Sequence, residues 1–435
     1  MSGTAVDRTS SVFSSDEERS HRNVQADKTE RLFSAGPARA DTCDGVVCFA
    51  AVDWWYHNQG HSECQIMRRL ARRVPVLWVN SIGMRAPSPG KSQFVVRRYT
   101  QKLRSTVKGL QRTSDGMWVY SPMFVPRYTD TMVTWNGRLL DYQLAWLLKR
   151  LNIRKPAAWV TIPTAAGAID RRSWSRVIFN RSDDFSTFPE ADRAFVRRLE
   201  DRLLSRADDV VYVNRGLCAR EQQLVRRAHY LGHGVDYDHF AAARPANRPA
   251  QLPEVLRRLP RPVIGYYGSL DSYTIDLELL GKVARSFPQA TVLVIGPKEM
   301  DIAPLLAEPN VVYTGPIPYA DLPGYAGAFD VALMPWLQNE WIAACNPIKL
   351  KEYLALAFPV VTTRFPELKP YESLVYAAKS HDEFVTQIER ALREDDPGLV
   401  QKRRDAVVKD SWDSLTDRVA TMFNLSPNRS TRPGN

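Results

Sequence analysis

No apolar run in the 435-residue sequence approaches the roughly 20 residues that span a bilayer. The opening stretch, MSGTAVDRTSSVFSSDEERSHRN, also lacks the apolar core of a secretory signal. Both absences predict a cytoplasmic chain, at most peripheral on the inner face of the membrane. Cysteine is scarce. Cys43, Cys48, Cys64, Cys218 and Cys345 are odd in number and lack metal-ligand spacing, so we expect neither a disulfide framework nor a metal site. Acidic residues are missing from Arg85 to Arg112, where eight basic ones stand (Arg85, Lys91, Arg97, Arg98, Lys102, Arg104, Lys108, Arg112). Tyr99, Leu103, Val107 and Leu110 fall at helical spacing through that run, which predicts a basic amphipathic helix suited to an anionic membrane surface. The net charge of +11 points more generally to anionic partners. The aromatic interleaving of a nucleic-acid module is missing, and no nucleic acid is expected.

What is present reads as alternating strands and helices. Residues 1–42 are rich in Ser, Thr, Arg and Asp and predict a disordered leader, as the final stretch 424–435 predicts a disordered tail. Across 43–240, runs such as GVVCFAAV, PVLWVN, AAWVTIP, RVIFN and VVYVN alternate with helical patterns. A proline-rich linker follows at 241–262. A second block, 263–410, repeats the rhythm with PVIGYYGS, TVLVIGP, NVVYTGP, DVALMPW and PVVTT. The capping box SHDE at Ser380 to Glu383 opens a late helix. Apolar runs of this kind belong to parallel sheets covered on both faces, so the expected fold is α/β, two doubly wound Rossmann-like domains facing across a cleft. Ligands of such sheets bind outside the carboxyl ends of the strands.

The stretch CNPIKLKEYLALAFPVV, 345–361, predicts a helix capped by Asn346, with Pro347 first and Lys349 in the opening turn. A helix N-terminus disfavours a cation, so Lys349 needs a negative neighbour. Either Glu352 pairs with it, or the helix mouth and Lys349 together hold a phosphate while Glu352 accepts from hydroxyls. Gly268 and Ser269, and Pro297 in IGPKE, sit at other strand ends where backbone could approach a diphosphate. In the first block, VDWWYHNQGHSE gathers Asp53, His57, Gly60 and His61 after the first strand, and RSDDFSTF places Asp183 and Asp184 at another strand end facing the cleft. Histidine and aspartate there suit general-base work or sugar hydroxyls, with surface capping as the plain alternative.

In this order and spacing, the loops resemble the donor domain of GT-B glycosyltransferases. The likeness is strongest to the retaining family four (group 1) enzymes and their teichuronic-acid type relatives. The carrying residues are NVVYTGPIPYADLPGYAGAFDVALMPW, NPIKLKEYLALAFPVV and GHGVDYDHF at 232–240. SWDSLTDRVATMF at 411–423 resembles the helix that crosses back onto the first domain. The resemblance implies a metal-independent, cofactor-free transferase. It would move a sugar from a nucleotide diphosphate donor of UDP or GDP type to a hydroxyl acceptor, lipid-linked if the basic segment meets a membrane, in cell-envelope or polysaccharide assembly. Lys349 would contact the phosphates, Glu352 the ribose, and Gly60 the donor phosphates from the first domain. The glutamate usual eight residues before Glu352 is Ala344 here, with Glu340 four residues further back, and the basic residue usual after the first glycine loop is missing from GSLDSYTIDLELL. A GT-B-like nucleotide-sugar epimerase and a non-catalytic nucleotide-sugar or lipid-binding partner are the alternatives.

Overall fold

The computed structural model describes residues 42–56, 60–83, 92–188, 192–244 and 252–425, with 92–99 described by backbone. His57, Arg85, Lys91, most of the expected leader and tail, and the middle of the linker lie outside the described residues.

The first sheet has eight strands: β1 (Gly45–Phe49), β2 (Val76–Val79), β3 (Leu110–Arg112), β4 (Trp118–Tyr120), β5 (Pro156–Val160), β6 (Val177–Arg181), β7 (Asp209–Tyr212) and β8 (Ala228–Tyr230). Their order is β3-β4-β2-β1-β5-β6-β7-β8, parallel throughout except for the edge strand β3. Every residue of β1, β2, β5, β6 and β7 is buried, because helices cover both faces. Those helices include α1 (Ser62–Leu70), α2 (Ser92–Val107), α3 (Asp130–Arg150), α4 (Arg193–Arg206) and α5 (Arg215–Glu221). The expected basic helix therefore stops at Val107, and Leu110 lies in β3 instead. Gly109, with φ of +61°, makes the turn between them.

The second sheet is fully parallel, β11-β10-β9-β12-β13-β14, from β9 (Val263–Tyr267), β10 (Thr291–Ile295), β11 (Val311–Gly315), β12 (Val331–Met334), β13 (Val360–Thr363) and β14 (Tyr376–Ala378). Numbered from β9, this is the 3-2-1-4-5-6 order of a Rossmann sheet, whose strand order reverses between β9 and β12. Among its helices are α6 (Tyr237–Ala243), α7 (Leu277–Ser286), α8 (Ile348–Ala355), α9 (His381–Leu392) and α10 (Pro397–Val408). In the capping box, Ser380 accepts from the Glu383 amide at 3.2 Å.

The chain passes between the two cores twice, side by side. Val235 and Phe240 already belong to the second core, while Trp412, Leu415 and Val419 of α11 (Trp412–Met422) return to the first. Val235 donates to the Asp410 carbonyl at 2.9 Å, and a Cβ on Gly234 would lie 2.4 Å from the Trp412 ring. Glycine is what lets the two crossings touch.

Candidate active site

β9 runs out into Gly268 at the crevice. Gly268 has φ of +146°, and a Cβ there would meet Lys349 Nζ at 2.2 Å, so the bare backbone is what lets the lysine lie over this strand end. Gly296, after β10, packs on the Gly268 carbonyl. The Ser269 hydroxyl is buried with no hydrogen-bond partner among the described residues, and the Pro297 carbonyl accepts from the Leu270 amide at 2.9 Å. Gly268, Ser269 and Pro297 all line one cleft.

α8 enters the same cleft but is not capped as expected. Pro347, in extended conformation, holds the N-cap position, and no side chain among the described residues caps the helix. Asn346 reaches across to the Val213 carbonyl at 2.7 Å, joining the two domains. The first amides of α8 are left for whatever the cleft holds. Lys349 Nζ rests 3.3 Å from the Tyr266 hydroxyl and 5.0 Å from that ring's centroid. Burial lowers its pKa to about 8, against the opposing charges of Asp271 and Glu352. No carboxylate pairs with it among the described residues. Glu352, buried and lining the cleft, accepts instead from the Tyr267 hydroxyl at 2.7 Å. Burial pushes its carboxyl up to about 7, despite the Tyr267 hydrogen bond and the Lys349 charge.

The first domain contributes the facing wall. Asp53 is buried and accepts from the Ser105 hydroxyl at 2.9 Å and the Trp55 amide at 3.1 Å, with Lys102 Nζ at 3.8 Å. Lys102, expected on a membrane face, is turned inward: it donates to the Ser81 carbonyl, and burial lowers its pKa to about 8 although Asp53 opposes this. Gly60 and the exposed His61 line the rim. The two adjacent aspartates part company. Asp183 lines the cleft, and burial pushes its carboxyl up to about 7 against the pull of Ser182 and Arg181. Asp184, expected to face the cleft too, turns away. It joins a buried network in which Arg181 pairs with it at 3.4 Å and with Glu221 at 3.0 Å, while Ser186 and Arg220 each donate to it at 2.7 Å. The reason is electrostatic: the fully buried Arg181 guanidinium needs carboxylates around it.

Three residues escaped the sequence reading. Glu63 sits in the first turn of α1 but folds back beneath the loop after β1, accepting from the Ala51 amide at 3.2 Å, and burial pushes its carboxyl up to about 7. His233 is buried at the cleft with Nδ1 unpartnered among the described residues; burial, then the charges of Lys351 and His61, lower it to about 3, so the ring is neutral near pH 7. Lys351 points away from the cleft, donating to the His233 carbonyl and, at 2.7 Å, to Asp410. Only their spacing from quoted motifs, within GHGVD and KLKE, could have flagged the last two.

Aromatic rings close one end of the cleft, where Phe188 of the first domain lies 5.1 Å from Tyr273 and 4.8 Å from Trp341 of the second. The volume, about 2640 Å³, exceeds the roughly 300–1,000 Å³ of a single small-ligand pocket and leaves room for two substrates. Among the described residues no cluster of His, Cys, Asp or Glu is arranged to hold a metal ion, and no helix is long and apolar enough to cross a membrane.

Two Rossmann-like domains, a crevice at the switch point of the second and a return helix make up a GT-B fold. Residues 261–394 match the family described as glycosyl transferases group 1. Bacillus subtilis (strain 168) has a relative, the proposed teichuronic acid biosynthesis glycosyltransferase TuaH, that is 26% identical over 315 residues, 66% of this chain and 76% of the relative. The fold is shared with sucrose-phosphate synthase from Thermosynechococcus elongatus, at a TM-score of 0.65 and 14% identity over 88% of this chain and 98% of that one. It is shared too with Anabaena HepE in complex with UDP and glucose, at a TM-score of 0.59 and 12% identity over 88% and 99%.

Proposed function

We propose that the enzyme transfers a sugar from a UDP-type nucleotide diphosphate donor to a hydroxyl acceptor in cell-envelope polysaccharide assembly. One observation carries this reading: Lys349 is a half-buried ammonium with no carboxylate partner among the described residues, lying over the Gly268 backbone at the mouth of a helix that no described side chain caps. A positive charge, free amides and a glycine strand end together make an anion site, and a diphosphate fits it. Glu352, seated next to Tyr267 further along α8, would accept from the ribose hydroxyls, and Ser269 and Asn346 would border the donor. The structural neighbours solved with UDP and glucose, or with UDP-2-fluoro glucose, favour uridine over guanosine. TuaH supports the envelope role.

Asp183 would take the proton of the attacking hydroxyl: Asp183 and Glu63 are both cleft-lining carboxyls of the first domain raised to about 7, and Asp183 is the more accessible, Glu63 being buried and held by the Ala51 amide. Glu63 and the neutral His233 would hold sugar hydroxyls, and Asp53 with Lys102 would fix the loop that faces them. Arg104, Lys108 and Arg112 keep an exposed basic surface beside the cleft, which suits an acceptor carried on a lipid. The test is mass spectrometry of UDP-sugars incubated with the protein, with and without hydroxyl acceptors. Acceptor-dependent release of UDP supports transfer. Isomerised sugar without acceptor, or binding without turnover, would replace it with an epimerase or a binding protein.

A further inference from the structure

α3 has an apolar inner face and a second apolar face that none of the described residues covers. Val133, Leu140, Leu144 and Leu147 pack into the first core, while Trp135, Leu139, Tyr142 and Trp146 stand on the opposite side with exposures of 57, 37, 78 and 57%. Their spacing of four, three and four residues puts them in one stripe along the helix. Trp135 and Trp146 are the exposed tryptophans among the described residues. Arg138 and Arg150 lie over them, 5.5 and 5.7 Å from the ring centroids, and Lys149 flanks the stripe. The carboxylates of α3 are taken up elsewhere: Asp130 pairs with Arg198 and Asp141 with Arg172, both at 2.9 Å.

The loop after β4 widens the patch. Asn136 exchanges two 2.8 Å hydrogen bonds with the Val125 backbone, and Gln143 does the same for Met123 at 2.9 and 3.0 Å, so Met123 and Val125 are held out beside the helix, 58 and 45% exposed. Met123 also lines the cleft, with Leu103 of α2, itself 67% exposed. The patch thus runs from the outer face of α3 to the mouth of the cleft.

We propose that this face docks the enzyme on an anionic lipid bilayer, with the cleft mouth turned toward the lipid. Tryptophan and tyrosine flanked by arginine and lysine match the boundary between acyl chains and anionic headgroups. A second copy of the chain fits poorly, because stacking stripe on stripe would bring Arg138, Lys149 and Arg150 against their own kind with no carboxylate between them. Docking stands apart from the transfer reading, since none of the four stripe residues lines the cleft.

Flotation with vesicles of phosphatidylglycerol and phosphatidylcholine, beside phosphatidylcholine alone, tests this. The intact chain should float with the mixed vesicles, and brominated phosphatidylcholine in them should quench its tryptophan fluorescence. Trp135→Ser/Trp146→Ser should cut vesicle partition at least tenfold and abolish the quenching, while keeping UDP affinity, which shows that it folds. Arg138→Ser/Arg150→Ser should weaken partition and remove the preference for anionic lipid. An intact chain that binds UDP but ignores mixed vesicles, or a tryptophan variant that floats equally well, overturns docking and leaves transfer standing. So does a dimer, seen by light scattering, that the tryptophan variant breaks.

Discussion

Adjacent in the chain, Asp183 and Asp184 differ in what their carboxyls meet: Asp183 lines the cleft, and Asp184 is held by Arg181, Ser186 and Arg220. Although burial raises Asp184, the guanidinium of Arg181, the Ser186 hydroxyl and Arg220 hold it below the usual carboxylate range, while Asp183 is raised to about 7 in the cleft. A base must be ionised to accept a proton, so transfer should fall as pH drops through about 7. Asp183→Asn should lower the turnover rate about 100-fold or more, leave UDP affinity unchanged and erase that acid limb, as rate against pH will show. An unchanged limb would move the base to Glu63. The sequence carries both aspartates in one strand-end motif but not the turn that separates them, because what decides it is a buried arginine whose partners, Glu200 and Glu221, lie far along the chain. Glu63 was invisible for a similar reason: an acid in a helix's first turn is ordinary, and only the loop folded over it makes it buried.

At the scale of elements, what the sequence shows and hides follows burial. Strands covered on both faces are continuous apolar runs, so β1, β2, β5, β6, β7, β9, β10, β12 and β13 are legible as VVCF, VLWV or TVLVI would suggest, and the partly buried edge strand β11 is legible from VVYTG before its glycine. β3, β4, β8 and β14 are three residues each and only partly buried, too short for a period to emerge. The start of α8 was misjudged because Asn346 has the local preference of a cap and a stronger use across the domain boundary. The basic run was legible as charge and as helix, but spacing cannot say that Lys102 faces Asp53. The strand end at Gly268 gives a sharper test. Because φ is +146° and the space of a Cβ is filled by Lys349 Nζ, Gly268→Ala should displace the lysine and reduce UDP affinity tenfold or more while uridine binding changes little, by calorimetry. Equal affinity for UDP would mean that this strand end does not approach the phosphates.

Across the whole molecule, the domains are held by specific contacts: the paired crossings at Val235 and Ser411, Lys351 with the His233 carbonyl, and Arg215 with Glu367 at 2.7 Å. The cleft between them concentrates buried carboxyls, which gives stability a pH dependence of definite sign. Glu63, Asp183 and Glu352 titrate near 7 when folded, above ordinary values of 4.5, 3.8 and 4.5. A raised pKa gives stability that is complete below the unfolded value and is lost as pH rises through the folded one. The melting temperature of the free protein should therefore fall by a few degrees between pH 6 and pH 8, and Glu63→Gln should flatten the slope in thermal unfolding scans. The central claim, that α8 and Gly268 form the phosphate site of a nucleotide-sugar donor, is tested most directly by calorimetry of UDP and of uridine on Lys349→Ala, beside Glu352→Gln. A charge-assisted phosphate contact is worth about 1.5–3 kcal/mol, so Lys349→Ala should weaken UDP roughly 10- to 100-fold and leave uridine unchanged, with Glu352→Gln weakening both. Equal losses of UDP and uridine in Lys349→Ala, or no loss of either, would contradict it.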